Sequence, residues 1–231
     1  AKRSAPDVDH ASELFVLADT SFDGFQLDFV AAQHLNADLL IHYGDADLEA
    51  EGPIDARFVF GRRQVQALPL AAELVSHFAV EEPVLVVPSL GYSHVSSELF
   101  PLLSATHPRL IVAFADVEKQ AAASTPPTHQ PAGHAPSTAP VVADGAAPSI
   151  VAELQAAAVD ADGRLLGRRL SSPLDQAALS SPELSLVYVG ADDQFLSSLC
   201  VLLPRARVFT FDPTTTTPSL QRLELGPAKQ L

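Results

Sequence analysis

Short apolar runs alternate along this chain with longer stretches in which apolar residues return every three or four positions. The runs Leu14 to Ala18, Asp38 to His42, Phe58 to Phe60, Pro83 to Val87, Leu110 to Phe114, Leu184 to Val189 and Val208 to Phe211 predict strands. Between them, Gly24 to Asn36, Arg62 to Phe78, Ser93 to Ser104 and Asp193 to Leu203 carry the helical period, and Pro69 is predicted to kink or interrupt the second. Ile150 to Ala158 predicts a short helix, Asp160 to Gly163 a turn, and Leu165 to Leu170 a further extended piece. The unbroken apolarity of VLVV and LIVAF points to strands covered on both faces, as in parallel sheets. Strands alternating with helices make βαβ units, right-handed by the usual rule. The predicted class is therefore α/β: two small parallel-sheet βαβ domains, residues 1–80 and 81–215, each flanked by helices. Pro213 and Thr214 to Thr217 are predicted to end the regular structure, leaving 216–231 as a tail.

One stretch breaks the alternation. Residues 118–149 hold six of the 19 prolines and almost no large apolar side chain, so they bury too little surface to offset the entropy of ordering. They read as a disordered Ala/Pro-rich insertion in the second domain. His129 and His134 lie inside it, without the rigid scaffold and further ligands a metal site needs, and read as solvated.

Composition narrows the setting. At 47% hydrophobic residues, 231 residues supply ample core. One cysteine permits no disulfide within the chain, which fits a reducing compartment. No apolar run approaches the roughly 18 to 20 residues that span a bilayer, and the opening AKRSAPDVDHASE lacks a hydrophobic signal core. The expectation is a cytoplasmic protein without a membrane partner. Methionine is absent even at position 1, so Ala1 is not expected to be the initiator. With 14 basic against 28 acidic residues the net charge is −14. The dense basic clusters are Arg62 with Arg63, and Arg164 with Arg168 and Arg169, so nucleic acid is not an expected partner. An acidic surface serves solubility, and it also suits a basic protein partner.

Candidate chemistry collects where strands end, because ligands of parallel α/β sheets bind beyond the carboxyl ends of the strands. The first run ends in Asp19, Thr20 and Ser21, which either form a polar lip around a ligand or cap the helix that follows. The second ends in His42, Tyr43 and Gly44; His42 either contacts a ligand or is an edge histidine bonded to backbone. His94 follows the strand in VLVVPSLGYSH by the same logic. Gly190 follows LVYV, where it admits close backbone approach or supplies an awkward dihedral, and Asp192 and Asp193 disfavour phosphate there. His34 reads as structural or exposed, Asp45 and Asp47 as solvated acids, and Cys200, inside LSSLCVLL, as a buried inert thiol. There is no GxGxxG, no P-loop and no nucleophile elbow, so no catalytic residue is assigned within the chain.

Four ordered pieces resemble the diphthamide synthase family in its second-subunit type. They are DTS, LDFVAAQHLNAD and IHYG between Asp19 and Gly44; PVLVVPSLGYSH at Pro83 to His94; LGRRL at Leu166 to Leu170; and LVYVGADDQFLSSL at Leu186 to Leu199, followed by FTFDP at Phe209 to Pro213. Members of that family have three similar α/β domains. The resemblance therefore implies a fragment or truncated form, with 216–231 a tail or the start of a missing third domain. One departure stands out. Where the family's motif reads G-S-C-C-V-D this chain has Phe25 and Gln26 at the cysteine positions, and where it reads H-Y-G-x-x-C-L it has Asp47. Arg168 and Arg169 stand where the catalytic paralogue places a cluster cysteine after a glycine.

The resemblance implies a heterodimer with the first, catalytic subunit of diphthamide synthase. There a 4Fe–4S cluster cleaves S-adenosylmethionine, and a 3-amino-3-carboxypropyl group is transferred to a histidine of elongation factor 2, with an electron-donor protein in the pathway. With a single cysteine, this chain is expected to bind no cofactor alone, leaving the cluster and S-adenosylmethionine to the partner, and to act as the supporting subunit. Arg168 or Arg169 would then hold a partner carboxylate through forked hydrogen bonds, or else form a salt bridge within the chain. The alternative is a degenerate, non-catalytic protein-binding module no longer needed for diphthamide formation. An independent small-molecule enzyme would require His42 and His94 to converge on one pocket.

Overall fold

A computed structural model describes residues 13–17, 25–46, 48, 52–115, 159, 163–174 and 176–224. The predicted insertion with His129 and His134, the predicted helix at 150–158, and candidates Asp19, Thr20, Ser21 and Asp47 lie outside the described residues.

The four most apolar runs form the centre of one sheet. Strands β3 (Val84–Pro88), β4 (Leu110–Phe114), β7 (Ser185–Val189) and β8 (Arg207–Phe211) run parallel in the order β4-β3-β7-β8. Successive side chains of a strand point to opposite faces, and two layers of helix receive them. Val84, Val86, Val187 and Val189 meet α2 (Ala67–His77) and α3 (Val95–Leu103) on one face. Leu85, Val87, Leu186 and Tyr188 meet α5 (Gln194–Leu202) on the other, with Leu179 of the short helix α4 (Gln176–Leu179). Every residue of β3 and β7 is buried as a result. Helix α2 lies before residue 80 yet packs on this sheet.

The expectation of two small parallel sheets needs correcting, because among the described residues the larger sheet has seven strands with antiparallel edges. LGRRL lies in a hairpin, β5 (Arg164–Leu165) to β6 (Arg168–Leu170), and not in one extended piece. Both turn residues, Leu166 (φ 46°) and Gly167 (φ 70°), are left-handed, the conformation a two-residue hairpin loop demands. At the opposite edge β9 (Leu220–Arg222) pairs antiparallel with β8, so regular structure resumes after the threonine run. Three residues are too short for alternation to register in the sequence.

Helix limits also shift for local reasons. Helix α1 spans Phe29–His34, later than predicted, because the Asp28 carboxylate accepts the Ala31 N–H at 2.8 Å and caps it there. Helix α2 begins at Ala67, which places Pro69 in its first turn, where a missing N–H costs no intrahelical bond; the predicted interruption does not occur.

The smaller sheet has two parallel strands, β1 (Leu39–Tyr43) and β2 (Asp55–Val59). The strand predicted from Leu14 is not formed over the described residues 13–17. Leu14 is 88% exposed, and no sheet edge meets this run. Phe58 and Ala56 of the small sheet, with Leu27, Ala46 and Leu48, close over Leu90 of the larger unit.

The two ends of the large sheet differ. At the amino ends of the parallel strands Glu82 accepts from Arg207 at 2.6 Å and from Ser185 at 3.0 Å, tying β3, β7 and β8 together. The carboxyl ends carry the candidate site.

Candidate functional site

Where β3 and β7 end, Ser89 N–H donates to the Val189 carbonyl at 3.0 Å, and Gly190 follows with φ +156°. A Cβ on Gly190 would lie 3.1 Å from the Tyr188 ring and 3.2 Å from Ser89 Oγ, so the glycine permits this close approach. The buried Tyr188 hydroxyl donates to Asp193 Oδ2 at 2.5 Å, while Asp193 Oδ1 accepts the Leu196 N–H at 2.9 Å and caps α5. Burial first, then the Asp193 hydrogen bond and charge, push the Tyr188 phenol far above the ordinary tyrosine range.

Two of the residues singled out by the resemblance, Phe25 and Arg168, meet beside this point. Phe25 stacks on Phe195 of α5 with ring centroids 5.6 Å apart. The Arg168 guanidinium lies 3.6 Å from the centre of the same ring. Arg168 is 2% exposed; it donates to the Leu166 carbonyl at 3.1 Å and, across the joint between the two units, to the Ala46 carbonyl at 3.4 Å. Phe25 and Arg168 thus meet at one aromatic ring, and Arg168 reaches from it to the carbonyl of Ala46.

A second grouping lies along the crevice between α3 and the sheet. His94, at the start of α3, and Arg169, whose guanidinium lies 4.5 Å from the Phe114 ring centre, line a cavity of about 520 Å³ with Ser93, Ser97 and Ser171. His94 also borders a larger cavity of about 820 Å³, between residues 62–66 and the turn after β8. Burial, then the Arg62 charge, lower the His94 pKa from its ordinary value against a smaller opposing pull from Glu98.

His42 stands apart from both groupings. Its Nε2–H donates to the Asp45 carbonyl at 3.1 Å and its ring meets the Phe58 ring edge to face, which is the backbone-bonded arrangement. Tyr43 is 74% exposed, and Gly44 (φ +107°) donates its N–H to the Val59 carbonyl. His42 lines neither cavity, so the histidine convergence an independent enzyme would need is not assembled there. Sequence reasoning missed Tyr188, Phe195 and the double role of Asp193. The available signal was an acid immediately before an apolar helical run, the usual mark of an N-cap.

These features define an α/β protein whose candidate surfaces cluster at the carboxyl ends of its parallel strands. Residues 7–227 match the diphthamide synthesis protein family, and the chain belongs to that family. It is 26% identical over 205 residues to 2-(3-amino-3-carboxypropyl)histidine synthase subunit 2 of Xenopus laevis, an alignment covering 88% of this chain and 35% of that protein. The subunit 2 of Gallus gallus is 27% identical over 206 residues with the same coverage. A crystal structure of Dph2 from Pyrococcus horikoshii with a 4Fe-4S cluster superposes with a TM-score of 0.50 at 12% identity, over 92% of this chain and 48% of that one. The chain spans about a third of the length of these curated relatives.

The residues of this chain do not fit such a cluster. Fe–S clusters are held by several thiolates, and Cys200 is the single cysteine, buried in α5. Around Phe195 the structure has a stacked phenyl ring, Phe25, and a buried cation, Arg168, neither of which ligates iron. No three His, Cys, Asp or Glu side chains group as a metal site among the described residues.

Proposed function

We propose that this chain is the supporting, second-type subunit of a diphthamide synthase, acting with a cysteine-bearing first subunit that holds the cluster and S-adenosylmethionine. The product of that assembly would be the 3-amino-3-carboxypropyl adduct on a histidine of elongation factor 2, with electrons supplied by a separate donor protein. One observation supports this most: residues 7–227 match the diphthamide synthesis family and the chain is similar to subunit 2 relatives, while its sequence holds a single, buried cysteine. Family membership without a ligand set fits a chain that contributes surface instead of redox chemistry. The site candidates His42, Tyr43, Gly44, His94, Arg169 and Gly190 then serve as partner or ligand contacts, and Arg168 as part of the joint.

Co-expression with a cysteine-bearing paralogue tests this. The expected outcome is a stoichiometric complex, and loss of the modified histidine when this chain is removed from cells. If the modification persists without the chain, the supporting role fails and the degenerate binding module takes its place. Purified alone, the chain is expected to show no visible cluster absorbance after reconstitution with iron and sulfide; a stoichiometric cluster would overturn the ligand argument.

A further inference from the structure

In an acidic chain, the larger of the two crevices carries the opposite sign. Among the described residues, Arg62, Arg63 and His94 line the 820 Å³ cavity against one carboxylate, Glu98, which lies 3.9 Å from Arg62. The floor includes Phe211, at the carboxyl end of β8. Arg63 is held in place from two sides. Its backbone N–H donates to the Gly91 carbonyl at 2.8 Å, and its side chain runs over the 3₁₀ turn Leu90–Tyr92, with the guanidinium 5.9 Å from the Tyr92 ring centre. A Cβ on Gly91 would come within 3.2 Å of Arg63 Cδ, so the glycine provides the track along which this stem lies.

We propose that this crevice is an anion-binding site for a phosphate-bearing small molecule, gripped by Arg62 and Arg63 with His94 on its inner wall and the apolar floor under the rest of the ligand. Glu98 offsets one of the two arginine charges, so the preference for phosphate rests on donor geometry: two forked guanidiniums match the three acceptor oxygens of a phosphate monoester better than the two of a carboxylate. The charged and titratable groups around His94 are Arg62, Arg63 and Glu98 on this side and Arg169 across the smaller cavity. Bringing a dianion among them offsets the Arg62 charge, so the imidazole takes up a proton as the ligand binds.

The test is a titration of the full 231-residue chain with inorganic pyrophosphate and, separately, with phenyl phosphate and inorganic phosphate. It is followed through the His94 imidazole resonance, assigned by its loss in His94→Asn, with chloride matching the ionic strength. The expected result is a saturable shift with a raised His94 pKa. Phenyl phosphate should bind more tightly than inorganic phosphate, since only the ester uses the floor; equal binding of the two would remove the organic ligand from the proposal. Arg62→Gln with Arg63→Gln should weaken binding about tenfold or more. Gly91→Ala, which presses on the Arg63 stem, should weaken it roughly two- to threefold, and Glu98→Gln should tighten it. Absence of saturation with all three anions, or unchanged binding in the double arginine variant while its melting curve matches wild type, overturns the site. Those outcomes leave the subunit reading standing, because that reading is tested by complex formation and by the modified histidine.

Discussion

Strands β3 and β1 are both apolar pentapeptides, VLVVP and LLIHY, yet the first is buried at every residue while the second alternates between exposed and half-buried positions. The difference lies in what covers them. Helices α2 and α3 close one face of β3 and α5 the other, whereas the outward residues of β1, Leu39, Ile41 and Tyr43, remain exposed. Burial of an apolar run is thus set by its neighbours as much as by its own side chains, and the stability of the molecule should be concentrated in the large sheet. The largest expected effect tests this directly. Leu85→Ala, at a fully buried position of β3, should cost about 3 kcal/mol in denaturant unfolding. Ile41→Ala, at an exposed position of β1, should cost about 0.5 kcal/mol. Equal losses would break the comparison.

The joint between the two regions sharpens it. Arg168 belongs to the large sheet and donates to Ala46, which belongs to the smaller unit. Arg168→Ala removes a cation–ring contact and leaves the Leu166 and Ala46 carbonyls without this donor, a loss of about 2 kcal/mol. That loss should fall on one region. In hydrogen exchange, amides of β1 and β2 should open faster while those of β3 and β7 keep their protection. Uniform acceleration through both sheets would show that the two regions unfold as one.

The same contrast explains which parts of the fold could be read from the sequence. Leu110–Phe114 appears in the structure as predicted, and the other runs of the large sheet match to within a residue or so, because an uninterrupted apolar run covered on both faces carries its own signature. Leu14 to Leu17 carries the same signature without an edge to pair with, and sequence periodicity is blind to that. The hairpin at Leu166 and Gly167 was hidden because a left-handed leucine is uncommon, so LGRRL read as continuous. At the candidate site, His94 and Gly190 follow from strand-end logic and Arg169 from the family resemblance, and the structure sets all three at the carboxyl ends of the large sheet. The grouping around Phe195 was not readable, because it brings Phe25 to a ring and a cation more than a hundred positions away in the chain. Tertiary packing decides such contacts, and no local pattern encodes them.

Within the large sheet, the next effects are smaller and local. Asp193→Ala removes both the α5 cap and the acceptor for Tyr188, and should cost about 1.5 kcal/mol. Tyr188→Phe removes only the hydroxyl and should cost about 1 kcal/mol at neutral pH. Its pH dependence is the more telling measurement. The folded-state phenol pKa lies above its unfolded value, so the stability it contributes is fully present below about pH 10 and is lost progressively as pH rises from there through the folded-state value. Wild-type stability should therefore fall through the alkaline range at up to about 1.4 kcal/mol per pH unit from this group, and Tyr188→Phe should lack that component. Parallel alkaline limbs for the two proteins would mean that Tyr188 is not held protonated by its surroundings.

The smallest effect belongs to the edge of the large sheet, where burial is partial and solvent screens the charges. His94 has a folded-state pKa below its unfolded value, so its contribution is present above the ordinary histidine pKa of about 6.5 and is lost as pH falls through the folded value. His94→Asn should flatten that part of the acid limb without changing stability at pH 8. Arg62→Gln separates the causes: burial is the larger one and stays, so removing the arginine charge should raise the His94 pKa only part of the way toward its ordinary value. A full return to the ordinary value would assign the whole shift to Arg62 and would make this edge solvent-like, a sharper boundary between the buried centre of the sheet and its rim than the packing implies.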